Sequence, residues 1–234
     1  MLPWQHNQKI FGTGGSVQYC SEVFSMCSLF NGISNPVELM AHIQATRRVY
    51  HDGEIIINLG YPVEYFGIVI RGEIIGVTYD DEGEMSVLAR HGKGNVVGEI
   101  LACTQGAKSP VEVIAQKESE LILVKYDSLF SPDLSKNPEY TVFLKNLMKT
   151  ISRQYFALEK RASYLRMISL RKKILSYLTD YPHSIGEWFE IKFSRDELAG
   201  YLGVNRSALS RELSRMKNDT VIDYNGRRFR IIGE

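Results

Sequence analysis

A chain of 234 residues is long for one domain and sufficient for two, and with 44% apolar and 24% charged side chains it can bury a core in each. No apolar run approaches the roughly 18 residues of a membrane-spanning helix, and Met1 to Gly15 lack the basic-then-apolar layout of a signal peptide, so the expected location is the cytoplasm with no membrane partner. The formal charge of +1 conceals an asymmetry: residues 160–234 carry 15 Lys and Arg against 9 Asp and Glu, a net of +6, and the remainder is net −5, which points to a polyanionic partner for the C-terminal end alone.

Met1 to about Thr46 reads as a lead-in with short helices, one of them opened by Ser34, Asn35 and Pro36. From Arg47 to Tyr126 the pattern changes to short β-branched and aromatic stretches, such as Ile55 to Ile57 and Tyr65 to Ile70, punctuated by glycine. Asp80, Asp81, Glu82 and Gly83 form a candidate hairpin turn. Many short strands with frequent turns predict a β-sandwich or barrel. The three cysteines, Cys20, Cys27 and Cys103, form no CxxC pair, which argues against a disulfide framework or a paired-knuckle zinc site.

Helical character returns after Ser131, Pro132 and Asp133. Between Tyr140 and Leu165 the residues Leu144, Leu147, Ile151, Leu158 and Leu165 repeat at a/d spacing, with Gln154 and Arg161 as polar members of the seam. A helix of this length exceeds what a small barrel needs, so the seam is expected to meet its own copy across a two-fold axis. The other reading of the same stripe is an amphipathic helix lying on its own domain.

A second helix is expected over about Leu170 to Thr179, followed by the most informative stretch of the chain, Phe193 to Leu213. Ser194 and Glu197 have capping-box spacing, which starts a helix at Arg195; Leu198 and Leu202 supply its buried side. Gly203 allows the left-handed turn that stops it, and Asn205 caps the next helix, in which Leu209, Leu213 and Met216 face inward. Two short helices joined in this way make a helix-turn-helix. The polar side of the second helix carries Arg206, Ser207, Ser210 and Arg211, residue types that reach guanine edges and phosphates. A hairpin follows, Val221 to Tyr224 and Phe229 to Ile232 around Asn225 and Gly226, with Arg227, Arg228 and Arg230 near its tip as a basic wing. Ser194, Asn205, Arg206, Ser207, Ser210, Arg211, Arg227 and Arg228 are therefore the expected contacts to double-stranded DNA.

From about Arg47 to Ile232 the chain resembles the Crp/Fnr family of bacterial regulators. The resemblance rests on His51 to Glu54, the glycine-rich Gly94 to Glu99, the long central helix, and Arg206 to Arg211 ahead of a wing. It implies an α+β fold: an N-terminal double-stranded β-helix or jelly-roll barrel of the cyclic-nucleotide-binding type over 1–139, a dimerisation helix over 140–166 and a winged helix-turn-helix over 167–234. It implies a homodimer whose DNA-binding domains reorient on an inverted-repeat operator when a small effector binds; RNA polymerase is a candidate further partner, with activation and repression both left open. Arg206, Ser207 and Arg211 match the family's base-reading positions, although Ser207 stands where Glu is common, so the family's usual operator does not transfer.

Gly98 and Glu99 match the start of the family's phosphate-binding cassette, and Lys108 and Ser109 its end, where Arg and Ser are usual. Lys keeps the charge and loses the bidentate fork, which points away from a cyclic nucleotide and towards another anionic or aromatic effector. Tyr155, with Tyr65, Tyr79 and Tyr140, is a candidate pocket residue. Relatives that sense oxygen through an iron–sulfur cluster need four thiolates, which three separated cysteines do not supply. A haem-sensing variant would take His91 as its axial ligand, and a redox-sensing one would use Cys103, which reads more readily as an inert buried thiol. A cupin-type enzyme needs clustered histidines; His6, His42, His51, His91 and His183 include no close pair, so the chain is not expected to be an enzyme. A ligand-binding regulatory module without a DNA role is the remaining alternative, and the helix-turn-helix with its basic wing opposes it.

Overall fold

The computed structural model describes residues 9–10, 17–104 and 106–233. Much of the expected lead-in, including residues 1–8 and 11–16, lies outside them, as does the side chain of Cys20. In chain order the regular elements begin with β1 (Lys9–Ile10), α1 (Val17–Met26), α2 (Pro36–His42), β2 (Thr46–Tyr50), β3 (Ile55–Ile57), β4 (Tyr65–Arg71), β5 (Ile74–Tyr79), β6 (Met85–His91) and β7 (Val96–Val97). They continue with α3 (Glu99–Ala102), β8 (Glu112–Ala115), β9 (Ser119–Lys125), α4 (Pro138–Arg166), α5 (Leu170–Thr179), β10 (Phe189–Glu190), α6 (Arg195–Leu202), α7 (Arg206–Asn218), β11 (Ile222–Asn225) and β12 (Arg228–Ile231). Contacts divide the chain into two units, 1–152 and 153–234, and the division falls inside α4.

The first unit is a jelly roll of two antiparallel sheets with strand orders β1-β2-β9-β4-β7 and β3-β8-β5-β6. Their facing side chains, among them Tyr50, Phe66, Ile68, Ile74, Leu121 and Val113, form one apolar core that also takes in Leu39 and Met40 of α2. The Asn35 side chain caps α2 by accepting from the Glu38 N–H, with Pro36 in the first turn, as the sequence predicts. Between β5 and β6 the Asp80 carboxylate accepts from Glu82 and Glu84 N–H, and Gly83 takes φ +82°, closing the expected hairpin. At Gly72, φ is +98° and a Cβ would lie 2.6 Å from the Ser119 Cα, so this strand crossing admits only glycine.

Helix α4 runs 29 residues, about 44 Å at 1.5 Å per residue. Its N-terminal part belongs to the jelly-roll core. Phe143 and Leu147 are buried there, Leu144 and Ile151 pack partly against it, and the Asn146 amide donates to the carbonyls of Leu29 and Asn31 at 3.0 and 2.8 Å. Leu147 is only 4% exposed, so the seam inferred from spacing is corrected at this position: it serves its own domain. What stays exposed is the adjoining stripe of Met148, Tyr155, Leu158 and Leu165. With half-buried Ile151 they keep three- and four-residue spacing: Ile151, Leu158 and Leu165 belong to the seam read from spacing, and Met148 and Tyr155 flank it.

The second unit packs α5, α6, α7 and the end of α4 over a three-stranded sheet of order β10-β12-β11. Leu198, Leu202, Leu209, Leu213, Met216, Phe229 and Tyr164 fill its core. Arg161, read from spacing as a seam residue, instead points into this unit and donates to the carbonyls of Tyr201 and Gly200 at 3.4 Å. Those carbonyls belong to the last turn of α6, where a cation is favoured. Lys173 is buried beside them and donates to the Leu202 carbonyl at 3.3 Å.

Candidate nucleic-acid interface

Local chemistry sets the two helices that carry the interface. The Ser194 hydroxyl accepts from Glu197 N–H while the Glu197 carboxylate accepts from Ser194 N–H at 2.7 Å, a complete capping box for α6. Gly203 takes φ +63°, the left-handed torsion that favours glycine at a helix end; the one atom a Cβ there would meet is the movable tip of the Leu165 side chain. The Asn205 carboxamide oxygen then accepts from the Ser207 N–H at 2.8 Å and from its hydroxyl at 2.6 Å. Ser207 thus spends its hydroxyl proton on the cap of α7, which leaves it a weaker reading group than its sequence position suggests.

Leu209, Leu213 and Met216 bury one side of α7. Arg206, Ser210, Arg211 and Ser214 remain exposed on the other. Arg206 is not isolated: its Nε lies 3.0 Å from the Asp196 carboxylate on α6. Arg195, the first residue of α6, lays its guanidinium over the rings of Tyr224 and Phe229 and donates to the Gly226 carbonyl at 3.2 Å, tying this helix to the wing.

In the wing, Asn225 pairs with Arg228, so the two loop residues are Gly226 and Arg227. The expected turn at Asn225 and Gly226 shifts by one, because glycine with φ +60° takes the first loop position of a type II′ turn. Arg227 pairs with Glu190 at 3.1 Å. The guanidinium groups of Arg228 and Arg230 lie over the half-exposed Trp188 ring, at 5.8 and 5.0 Å. Neither Asp196 nor Trp188 was singled out by sequence reasoning: each matters through a cross-element partner that no local motif marks.

The residues matched to the effector cassette lie in the first unit. Gly98 takes φ +81° at the start of α3, where a Cβ would stand 2.8 Å from Ile57 Cδ1. Glu99 and Ser109 are buried and Lys108 is exposed. The Ser109 hydroxyl donates to the Val111 carbonyl at 2.6 Å, closed within its own turn. Of the candidate tyrosines, Tyr79 donates to Glu112 at 2.7 Å, Tyr140 donates to the Leu129 carbonyl, Tyr65 packs against the core with its carbonyl beside Gly98, and Tyr155 is exposed and edge-on to Phe156. Burial pushes the Cys27 thiol up to about 11 and, with help from the Glu99 charge, raises that of Cys103, so neither is an activated thiolate. Burial lowers the His91 pKa. Among the described residues no group of three His, Cys, Asp or Glu side chains is placed to hold a metal ion, and no helix is long and apolar enough to cross a membrane.

A jelly roll, a long helix and a winged helix-turn-helix with exposed arginines define the class: a transcription regulator with an effector-binding domain and a DNA-binding domain. Residues 47–131 match the cyclic nucleotide-binding domain and residues 162–233 the Crp-like helix-turn-helix domain, so the chain belongs to the Crp/Fnr family. It is 23% identical over 194 residues to the cAMP-activated global transcriptional regulator CRP of Haemophilus influenzae, covering 81% of this chain and 82% of that one. It is 24% identical to the CRP-like protein Clp of Xanthomonas oryzae pv. oryzae, covering 77% and 81%. The solved structure of the c-di-GMP responsive global regulator CLP of Xanthomonas campestris superposes with a TM-score of 0.53 at 23% identity, over 83% of this chain and 96% of that one. CprK complexed with OCPA gives 0.60 at 13% identity, over 84% and 89%. These structural likenesses speak to the fold. The relatives are regulators, not enzymes.

Proposed function

We propose that this regulator binds an inverted-repeat operator as a homodimer, each α7 entering the major groove of one half-site. The observation that carries the reading is the capped α7 with Arg206, Ser210 and Arg211 exposed on the side opposite its buried leucines. Arginine donates two parallel hydrogen bonds to guanine O6 and N7, and the N-terminal residues of a recognition helix are those that reach base edges. Arg227 and Arg228 at the wing, Ser194 at the start of α6 and Asn205 at the α7 cap act on phosphates or hold the reading helix, giving affinity without sequence preference.

The exposed stripe Met148, Tyr155, Leu158 and Leu165, with Ile151, is the surface assigned to the second copy. Apolar side chains at seam spacing along one helix bury best against an identical helix across a two-fold axis. A small molecule bound in the first unit shifts the population of dimers whose recognition helices sit about 34 Å apart, one turn of DNA. The bonded Ser109 hydroxyl and the Lys108 cation favour an effector other than a cyclic nucleotide. Such a regulator works where the chromosome is, in the cytoplasm, and as an activator it would also contact RNA polymerase.

Gel-shift binding to genomic fragments over a KCl series, with the oligomeric state measured alongside, tests the reading. Bound fragments are expected to share an inverted repeat with half-site centres about 10 base pairs apart, and affinity to fall steeply with salt. A monomeric chain that ignores duplex DNA at low ionic strength, whatever small-molecule fraction of a cell extract is added, would overturn it.

A further inference from the structure

We propose that Asp196 sets the sequence discrimination of this regulator, by orienting the Arg206 guanidinium and restraining its attraction to phosphates. The inference rests on the reading of α7 as the recognition helix. Asp196 is the second residue of α6, and its Oδ1 lies 3.0 Å from Arg206 Nε. The start of α6 does not depend on it, because Glu197 and Ser194 complete the capping box. The pair is exposed, 66% for Arg206 and 65% for Asp196, and an ion pair so exposed adds little to folding. Its place is nonetheless specific. It joins the first residue of the recognition helix to the N-terminus of the helix before it.

Two consequences follow from that placement. A guanidinium held through Nε keeps its Nη1–Nη2 edge to donate as a fork, the shape that matches guanine O6 and N7. The carboxylate also occupies the positive end of α6, where a DNA phosphate would otherwise be favoured, and it cancels the Arg206 charge in any register where no base claims the fork. Non-specific binding is almost entirely phosphate attraction, so it is weakened most. The operator complex, which has base contacts in addition, is weakened least. Asp196 is thus a positioning residue that gives up affinity for discrimination.

The test compares full-length wild type, Asp196→Asn, Asp196→Glu and Arg206→Ala. Affinities for a selected operator and a scrambled duplex are measured over a KCl series, and base preferences by selection from a randomised pool. Asp196→Asn is expected to tighten binding to the scrambled duplex roughly three- to tenfold and to steepen the salt slope by about one. The operator-to-scrambled ratio should fall about tenfold, with preference broadened at the base that Arg206→Ala also loses. Asp196→Glu should restore most of both. If Asp196→Asn leaves the ratio and the base preference at wild-type values while Arg206→Ala loses that base, the inference is overturned and the recognition-helix reading stands. If Arg206→Ala and Arg211→Ala both keep the wild-type base preference, the recognition-helix reading falls and takes the inference with it.

Discussion

Arginine appears in this interface in three different settings, and each predicts a different consequence of its removal. Arg211 is exposed on the polar side of α7, two turns before the helix ends at Asn218. Arg211→Ala is expected to cost roughly 1–3 kcal/mol in operator binding and to relax preference at one base pair per half-site, read by competition with singly substituted operators. Unchanged operator affinity would remove Arg211 from the reading face. Arg228 sits on β12 with its guanidinium over Trp188. Arg228→Ala should lower affinity evenly across sequences and flatten the salt slope by about one, and a changed base preference would contradict the phosphate role. Arg161 is the third case: it caps the carbonyl end of α6, so its removal acts on the shape of the unit and not on DNA directly.

At the scale of elements, α4 has two apolar faces with different duties. Phe143 and Leu147 complete the jelly-roll core, whereas Leu158 is 60% exposed. Leu147→Ala should therefore destabilise the first unit by about 2–5 kcal/mol, seen in denaturant unfolding. Leu158→Glu should leave unfolding of the protomer nearly unchanged and shift the sedimentation equilibrium from dimer to monomer, with operator binding lost in parallel. A Leu158→Glu protein that stays dimeric would move the interface off this helix. Spacing alone could not separate the two faces, because Leu144, Leu147 and Ile151 satisfy a heptad seam and an amphipathic helix equally well. The burial of Leu147 distinguishes them. The helix-turn-helix was legible for the opposite reason: Ser194, Glu197, Gly203 and Asn205 act on backbone groups within three residues of themselves, so their roles survive without knowledge of the rest of the fold.

For the whole molecule, each unit buries a tyrosine whose hydroxyl resists ionisation. Burial pushes Tyr50 in the first unit up to about 12, and burial with a hydrogen bond from or to Tyr181 raises Tyr177 in the second. A phenol whose folded pKa lies above its unfolded value holds its full contribution below pH 10 and loses it as pH climbs towards the folded value. Stability is therefore expected to begin falling above about pH 9, where the unfolded chain ionises Cys27, and to fall more steeply above pH 10, by on the order of 2–3 kcal/mol for Tyr50 between pH 10 and 12. Guanidinium midpoints over pH 8–12, followed together with tyrosinate absorbance, check this. Tyr50→Phe should flatten the alkaline fall of the first unit, and an unaltered profile would exclude Tyr50 as its cause.

The order of barrel, long helix, helix-turn-helix and wing, and the concentration of positive charge in the last 75 residues, follow from the sequence by itself. Periodicity, caps, turn glycines and net charge are properties of neighbours along the chain, and neighbours suffice to read them. Tertiary structure alone decided which side chains of α4 are buried in the jelly-roll core and which stay exposed, that Arg161 turns towards α6, and that Asp196 meets Arg206. These depend on groups brought together from separate segments. A hydrogen bond or an ion pair is a matter of distance in space, which the order of residues does not carry.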